Sequence, residues 1–318
     1  MRRWICLIIA LSAVLPLAGQ QTLRVDIRLV NVFTTVTDAT GKYVAGLTRD
    51  DFVLAEDGIP QEISHFSQDD EIPVSVGVLF DSSGSMQNKL RTAVTAVDRF
   101  VRTIHRDDDI FLMSFASRTD LKQDFTDNRD KLTRALRSIQ PVGGTNLYDA
   151  LELALQKIRT GRHPKRAILL ISDGDDTGSK VTFAKIRQDV RESELLVYPL
   201  AISATTYGDP ADHVPFTWPP PMPGSRNGPI ARRRDAVDMK VMQSLADDSG
   251  GRAFLLQESL LGNTSQIDKI LNQVADELRS PYTLAFYPTH PDDGKFHTLS
   301  VTTKSGLRAR TRPGYTAK

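Results

Sequence analysis

Val74-Ser75-Val76-Gly77-Val78-Leu79-Phe80-Asp81-Ser82-Ser83-Gly84-Ser85 decides how this chain reads. Its first seven residues form an apolar strand, and a helix is predicted from Met86 to about Ile104. Between the two, Asp81, Ser83 and Ser85 stand at alternate positions of one tight turn, a carboxylate and two hydroxyls aimed at one point. These are hard-oxygen ligands, suited to Mg²⁺, Ca²⁺ or Mn²⁺ and not to softer metals.

Two later segments complete the set. Gly143-Gly144-Thr145-Asn146 precedes a helical run, Leu147 to about Arg159, and offers the Thr145 hydroxyl on a backbone freed by two glycines. Ile168-Leu169-Leu170-Ile171-Ser172-Asp173-Gly174-Asp175-Asp176 is a second apolar strand ending in acid. Parallel strands bring their carboxyl ends to one edge, where open α/β sheets bind ligands. Asp81, Ser83, Ser85, Thr145 and Asp173 then converge with few formal charges. A divalent cation held mostly by neutral hydroxyls stays electrophilic and takes a further ligand, such as a Glu or Asp side chain, from another molecule. The plainer reading is an ordinary turn with a helix N-cap. The matching Gly-Gly-Thr and Ser-Asp-Gly segments, in order, argue against it.

This Asp-x-Ser-x-Ser…Thr…Asp set resembles the metal-ion-dependent adhesion site of von Willebrand factor type A domains, over roughly residues 72–280. The resemblance implies that Ser83, Ser85 and Thr145 contact the metal directly or through water. It implies that Asp81 and Asp173 act through water and orient the others. One divalent cation is expected, Mg²⁺ first, with Ca²⁺ or Mn²⁺ as alternatives.

The chain has 318 residues, 40% apolar and 25% charged, with a formal net charge of +1. That is ordinary globular composition with room for two domains. Near-neutral balance excludes nucleic acid as an expected partner, and Arg232-Arg233-Arg234 reads as a solvated loop. Residues 1–20 read as a secretory signal, with Arg2 and Arg3 before the apolar stretch Trp4 to Leu17 and with Ala18 and Gly19 near the cut. The stretch is short for a membrane span, and an uncleaved anchor is the alternative. The only cysteine, Cys6, lies within it, so the mature chain is expected to have no disulfide and no transmembrane segment. The expected location is periplasmic, cell-surface or secreted.

Residues 21–71 alternate with β period, Val25, Ile27, Leu29, Asn31 and Phe33 on one phase, with a turn at Glu56-Asp57-Gly58. Residues 72–280 alternate strand and helix, the pattern of a doubly wound, mostly parallel sheet. In them Leu90, Val94, Val97, Val101 and Ile104 form the core face of the first helix. Strand character returns in 281–318. Neither terminal segment has enough strands for a sandwich of its own, so the two are expected to form one small β-sandwich into which the α/β domain is inserted. The layout resembles a bacterial family of exported von Willebrand factor A-related proteins. Gly46-Leu47-Thr48, Asp51-Phe52, Glu56-Asp57-Gly58, Tyr287-Pro288 and Pro313-Gly314-Tyr315 carry that resemblance.

Ser203 to Arg234, with Trp218-Pro219-Pro220-Pro221-Met222-Pro223-Gly224, is too proline-rich for helix or central strand. It leaves the end of a strand on the metal face; a structureless stretch this long reads either as disordered or as functional, and in the second case it is the candidate partner-binding loop, with Trp218. A helix from Arg129 is expected to be capped by Thr126 or Asp127. Asp107-Asp108-Asp109 reads as a solvated loop end, and Asp175 and Asp176 as outer-shell charge. The histidines show no metal-ligand spacing. The leading function is a protein-binding module that captures an Asp or Glu of a protein partner. The alternatives are a metal-dependent hydrolase, for which no general base is evident, and a structural subunit of an envelope assembly.

Overall fold

The computed structural model describes residues 29–68, 73–203, 237–257, 264–279, 282–290 and 292–317. The expected signal, Arg232-Arg233-Arg234 and nearly all of the Pro-rich loop, Trp218 included, lie outside the described residues.

The centre is a six-stranded sheet in the order β10-β9-β8-β5-β6-β7. Its strands are β5 (Val74–Asp81), β6 (Asp109–Phe115), β7 (Thr119–Thr126), β8 (Lys165–Ser172), β9 (Leu196–Ser203) and β10 (Phe254–Gln257). All neighbours are parallel except β7, which runs antiparallel at one edge. Helices α1 (Leu90–Thr103), α2 (Arg129–Arg137) and α6 (Thr264–Arg279) cover one face. Helices α3 (Leu147–Ile158), α4 (Phe183–Glu192) and α5 (Met239–Ser249) cover the other. Strand β5 lies at the centre with both faces buried, so Val76, Val78 and Phe80 enter one core and Leu79 the other. Gly77 has no side chain because a Cβ there would overlap the Phe111 ring. This is the doubly wound α/β fold expected.

The flanking segments form two four-stranded antiparallel sheets, β13-β1-β11-β4 and β14-β12-β2-β3. The amino-terminal strands are β1 (Val30–Thr37), β2 (Phe52–Glu56), β3 (Ile59–Gln61) and β4 (His65–Ser67). The carboxy-terminal ones are β11 (Tyr282–Phe286), β12 (Phe296–Thr303), β13 (Arg308–Arg310) and β14 (Gly314–Thr316). Each sheet draws strands from both ends of the chain: β1 pairs with β11 (Val32 opposite Leu284) and β2 with β12 (Leu54 opposite Val301). Between them lies a separate core built on Val30, Val32, Phe52, Leu54, Tyr282, Leu284, Phe286, Val301 and Tyr315. The Tyr282 hydroxyl ties the Tyr43–Leu47 segment to it, donating to the Val44 carbonyl and accepting from the Leu47 N–H.

Several local expectations are corrected. On β1 the sandwich face carries Val30 and Val32, and Phe33 packs instead against the α/β core. Both faces of this strand are covered, so alternation could not tell which was inside. A 3₁₀ turn at Gly84–Met86 precedes α1, which starts at Leu90. The most buried positions of α1 are Thr92, Ala93, Ala96, Val97, Phe100 and Val101, with Leu90 and Val94 only partly buried. Asn128, not Thr126 or Asp127, caps α2, its side chain accepting from the Lys131 N–H. Asp108 and Asp109 are buried, not solvated. Asp108 accepts from the Val74 and His105 N–H groups and Asp109 from the Ser75 hydroxyl, so together they fasten the start of β5; Asp107 alone is exposed.

Candidate metal centre

The carboxyl edge of the parallel sheet collects the candidate ligands. The register of β5 on β8, Phe80 opposite Ile171, sets Asp81 beside Ser172 and leaves Asp173 one residue further on. The Ser172 hydroxyl donates to Asp81 Oδ2 at 2.6 Å. The other carboxylate oxygen of Asp81 accepts from the Ser83 N–H at 2.8 Å, and Ser83 Oγ lies 3.0 Å from Ser85 Oγ. Asp81, Ser83, Thr145 and Asp173 are buried, while Ser85 is partly open.

Thr145 arrives on a loop bound to both neighbours. The Gly84 N–H donates to the Gly143 carbonyl at 3.0 Å, and the Val142 N–H to the Ser82 carbonyl at 2.8 Å. Gly143 sits at φ +81°, a conformation that favours glycine. The Thr145 N–H donates to Thr177 Oγ1 at 2.9 Å, and the Thr177 N–H returns to the Thr145 carbonyl at 2.8 Å. Gly84, Ser85, Gly143, Thr145, Asp175 and Thr177 line one open cleft of about 480 Å³. Strand β9 is parallel to β8, Ser172 opposite Ala201, so the chain also leaves Ser203 on this edge.

Lys89 is the residue that sequence reasoning missed. Its ammonium donates to Asp173 Oδ2 at 2.9 Å, and neither side chain is exposed. The signal was present. Lys89, Thr92, Ala93 and Ala96 recur at helical spacing on the buried face, so a lysine there needed an internal anion. Burial first, and then the neighbouring Asp173 charge, pushes the Asp81 pKa up to about 7, against the hydrogen bonds from Ser172 and Ser83. Asp175 is raised above the ordinary carboxylate range, by burial and then by Asp173. Asp176 is held at the start of α3. It accepts from the Leu147 N–H at 2.8 Å and from the Ser179 hydroxyl.

The donor set fits a hard divalent cation. The Lys89 ammonium pairs with Asp173, and Asp81 accepts from the neutral Ser172 hydroxyl and Ser83 N–H, which leaves one negative charge when Asp81 is ionised. Burying that charge is costly unless a cation joins it.

Residues 76–175 match the family model described as the von Willebrand factor type A domain. This chain carries a von Willebrand factor type A domain. Curated relatives include the inter-alpha-trypsin inhibitor heavy chain H2 of Mus musculus, 28% identical over 137 residues, which are 39% of this chain and 14% of that protein. The heavy chain H4 of Sus scrofa is 29% identical over 133 residues, 38% of this chain and 14% of that one. The match thus spans about one seventh of these relatives' length. Solved structures similar to this one include BatB from Bacteroides thetaiotaomicron, with 19% identity, a TM-score of 0.48 and coverage of 65% of this chain and 100% of that one. A von Willebrand factor type A protein from Catenulispora acidiphila has 11% identity, a TM-score of 0.48 and coverage of 91% and 74%. Such domains are in general protein-interaction modules, which gives this von Willebrand factor type A domain its coarse role. Among the described residues no helix is long and apolar enough to cross a membrane.

Proposed function

We propose that this chain binds a protein partner by capturing an Asp or Glu side chain of that partner through one divalent cation, Mg²⁺ first. Ser83, Ser85 and Thr145 would hold the ion, with Asp81 and Asp173 behind them. The observation that carries this reading is the buried carboxylate pair with a single ammonium, set behind neutral hydroxyls at the floor of an open cleft. When bound, the ion supplies a Lewis-acidic position for a foreign carboxylate.

The residues of the chain set how that position behaves. Hydroxyl ligands donate lone pairs without cancelling the ion's charge. Lys89 neutralises Asp173, so the pocket holds a divalent cation without matching its full charge. Partner capture then completes the neutralisation. Asp175 and Thr177, on the cleft wall, and Ser203, at the end of β9 on the same sheet edge, stand where they would meet the partner. We place this encounter outside the cytoplasm, on the basic and apolar pattern of residues 1–20.

Calorimetry with Mg²⁺ and Mn²⁺ on the metal-stripped protein tests the ion. Pull-down from envelope extract, once with Mg²⁺ and once with a chelator, tests the partner. One cation per chain and a partner lost on chelation support the reading. No cation binding at millimolar concentration, or a partner retained in chelator, overturns it.

A further inference from the structure

The β-sandwich gathers two histidines that lie far from the cleft residues in the fold and follow no ligand spacing in the sequence. His290 stands in the loop after β11, His297 is the second residue of β12, and Glu56 ends β2. One ligand atom from each lies within 4.8 Å of the other two. His290 Nε2 is 3.0 Å from Glu56 Oε1, and His297 Nε2 is 3.1 Å from Asp293 Oδ1. Glu56 and His297 are buried, while His290 is partly open and provides access. We infer that Glu56, His290 and His297 form a second metal site, for a borderline divalent ion of the Zn²⁺ class, with Asp293 beside it.

Three observations support the assignment. Two imidazoles with a carboxylate are the ligand types of zinc sites, unlike the all-oxygen set of the cleft. The 3.0 Å between His290 Nε2 and Glu56 Oε1 approaches the roughly 3.3 Å edge of a tetrahedron with bonds of about 2.0–2.1 Å. The surrounding groups are already oriented. Asp57 Oδ2 accepts from His297 Nδ1 at 2.8 Å, which directs Nε2 inward, and Asp57 is itself held by the Thr298 N–H and hydroxyl. Tyr315 donates to Glu56 Oε1 at 2.6 Å. Such carboxylate–histidine pairs are the usual support of metal-binding imidazoles. Glu56-Asp57-Gly58 and Pro313-Gly314-Tyr315, singled out in the sequence and not used by the cleft, therefore meet here.

The His290 and His297 rings stack at 3.7 Å with 9° between their planes. Parallel rings aim their in-plane lone pairs side by side, so His290, the more exposed, must turn off the stack to reach the ion.

The test uses tag-free full-length protein carrying Asp81→Ala and Ser83→Ala, so the cleft is silenced and this inference stands or falls apart from the proposed function. Co²⁺ serves as the probe, with Zn²⁺ competing. One Co²⁺ per chain at micromolar concentration, with tetrahedral visible absorption displaced by Zn²⁺, supports the site. His290→Ala and His297→Ala should abolish the absorption while circular dichroism shows a folded chain. Should either fail to fold, Asp57→Asn keeps every ligand and should weaken Co²⁺ binding about 10–100-fold. Absence of Co²⁺ and Zn²⁺ binding overturns the inference, as does absorption that survives the histidine variants or is unmoved by Asp57→Asn.

Discussion

Lys89→Met removes the ammonium and keeps an unbranched side chain of similar length, so packing beside Thr92 and Ala93 changes little. The effect falls on Asp173, which is fully buried and accepts a 2.9 Å charged hydrogen bond from Lys89. Removing one partner of a buried pair costs about 3–5 kcal/mol because the other charge stays behind. At roughly 2–4 °C per kcal/mol for a domain of this size, the metal-stripped variant should melt about 6–20 °C below the parent chain. The same substitution leaves Asp81 and Asp173 without an internal cation. A divalent ion then meets two negative charges instead of one and should bind more tightly. An ion at 100 times its Kd adds about 2.7 kcal/mol, and more as Kd falls. Scanning calorimetry in chelator and in Mg²⁺, on both proteins, reads both effects. The expected pattern is a large loss in chelator and a larger Mg²⁺ rescue in Lys89→Met than in the parent. A loss below about 1 kcal/mol would place this pair among weak surface-type bridges. A Mg²⁺ shift no larger in the variant would refute Lys89 as the charge competing with the metal.

Other outcomes follow from the same geometry. Thr145→Ala should lose Mg²⁺ binding in calorimetry while its melting temperature in chelator stays close to that of the parent, whereas Asp107→Ala, at an exposed side chain, should change neither. Asp81 has a folded pKa raised from 3.8 to about 7, so the stability of the metal-free chain from its protonated form is full below about pH 4 and is lost as pH rises through about 7. Mg²⁺ needs the ionised form, and the Mg²⁺-induced rise in melting temperature should therefore grow with pH across that window. A flat Mg²⁺ effect from acid to neutral pH would remove Asp81 from the site. Gly77→Ala drives a Cβ into the Phe111 ring and should destabilise the chain by about 1–3 kcal/mol in urea unfolding, with Mg²⁺ stoichiometry unchanged in the folded fraction.

Much of this protein is written locally. The apolar run before Asp81, the hydroxyls at Ser83 and Ser85, the glycines before Thr145 and the strand ending at Asp173 are each decided within a few residues. Strand period, turn chemistry and helix starts depend on neighbours in sequence, so the α/β order and the candidate ligands were legible there. Contacts between distant segments were not. Lys89 meets Asp173 across 84 positions only because β5 and β8 are parallel neighbours in one register. Tyr315 meets Glu56 across 259 positions, and His290 meets Glu56 across 234, because strands from both ends of the chain interleave in the sandwich. The face of β1 that is inside, and the burial of Asp108 and Asp109, were decided in the same way. A strand covered on both sides has no polar face to betray its orientation, and a carboxylate is identical in sequence whether solvent or a backbone amide receives it.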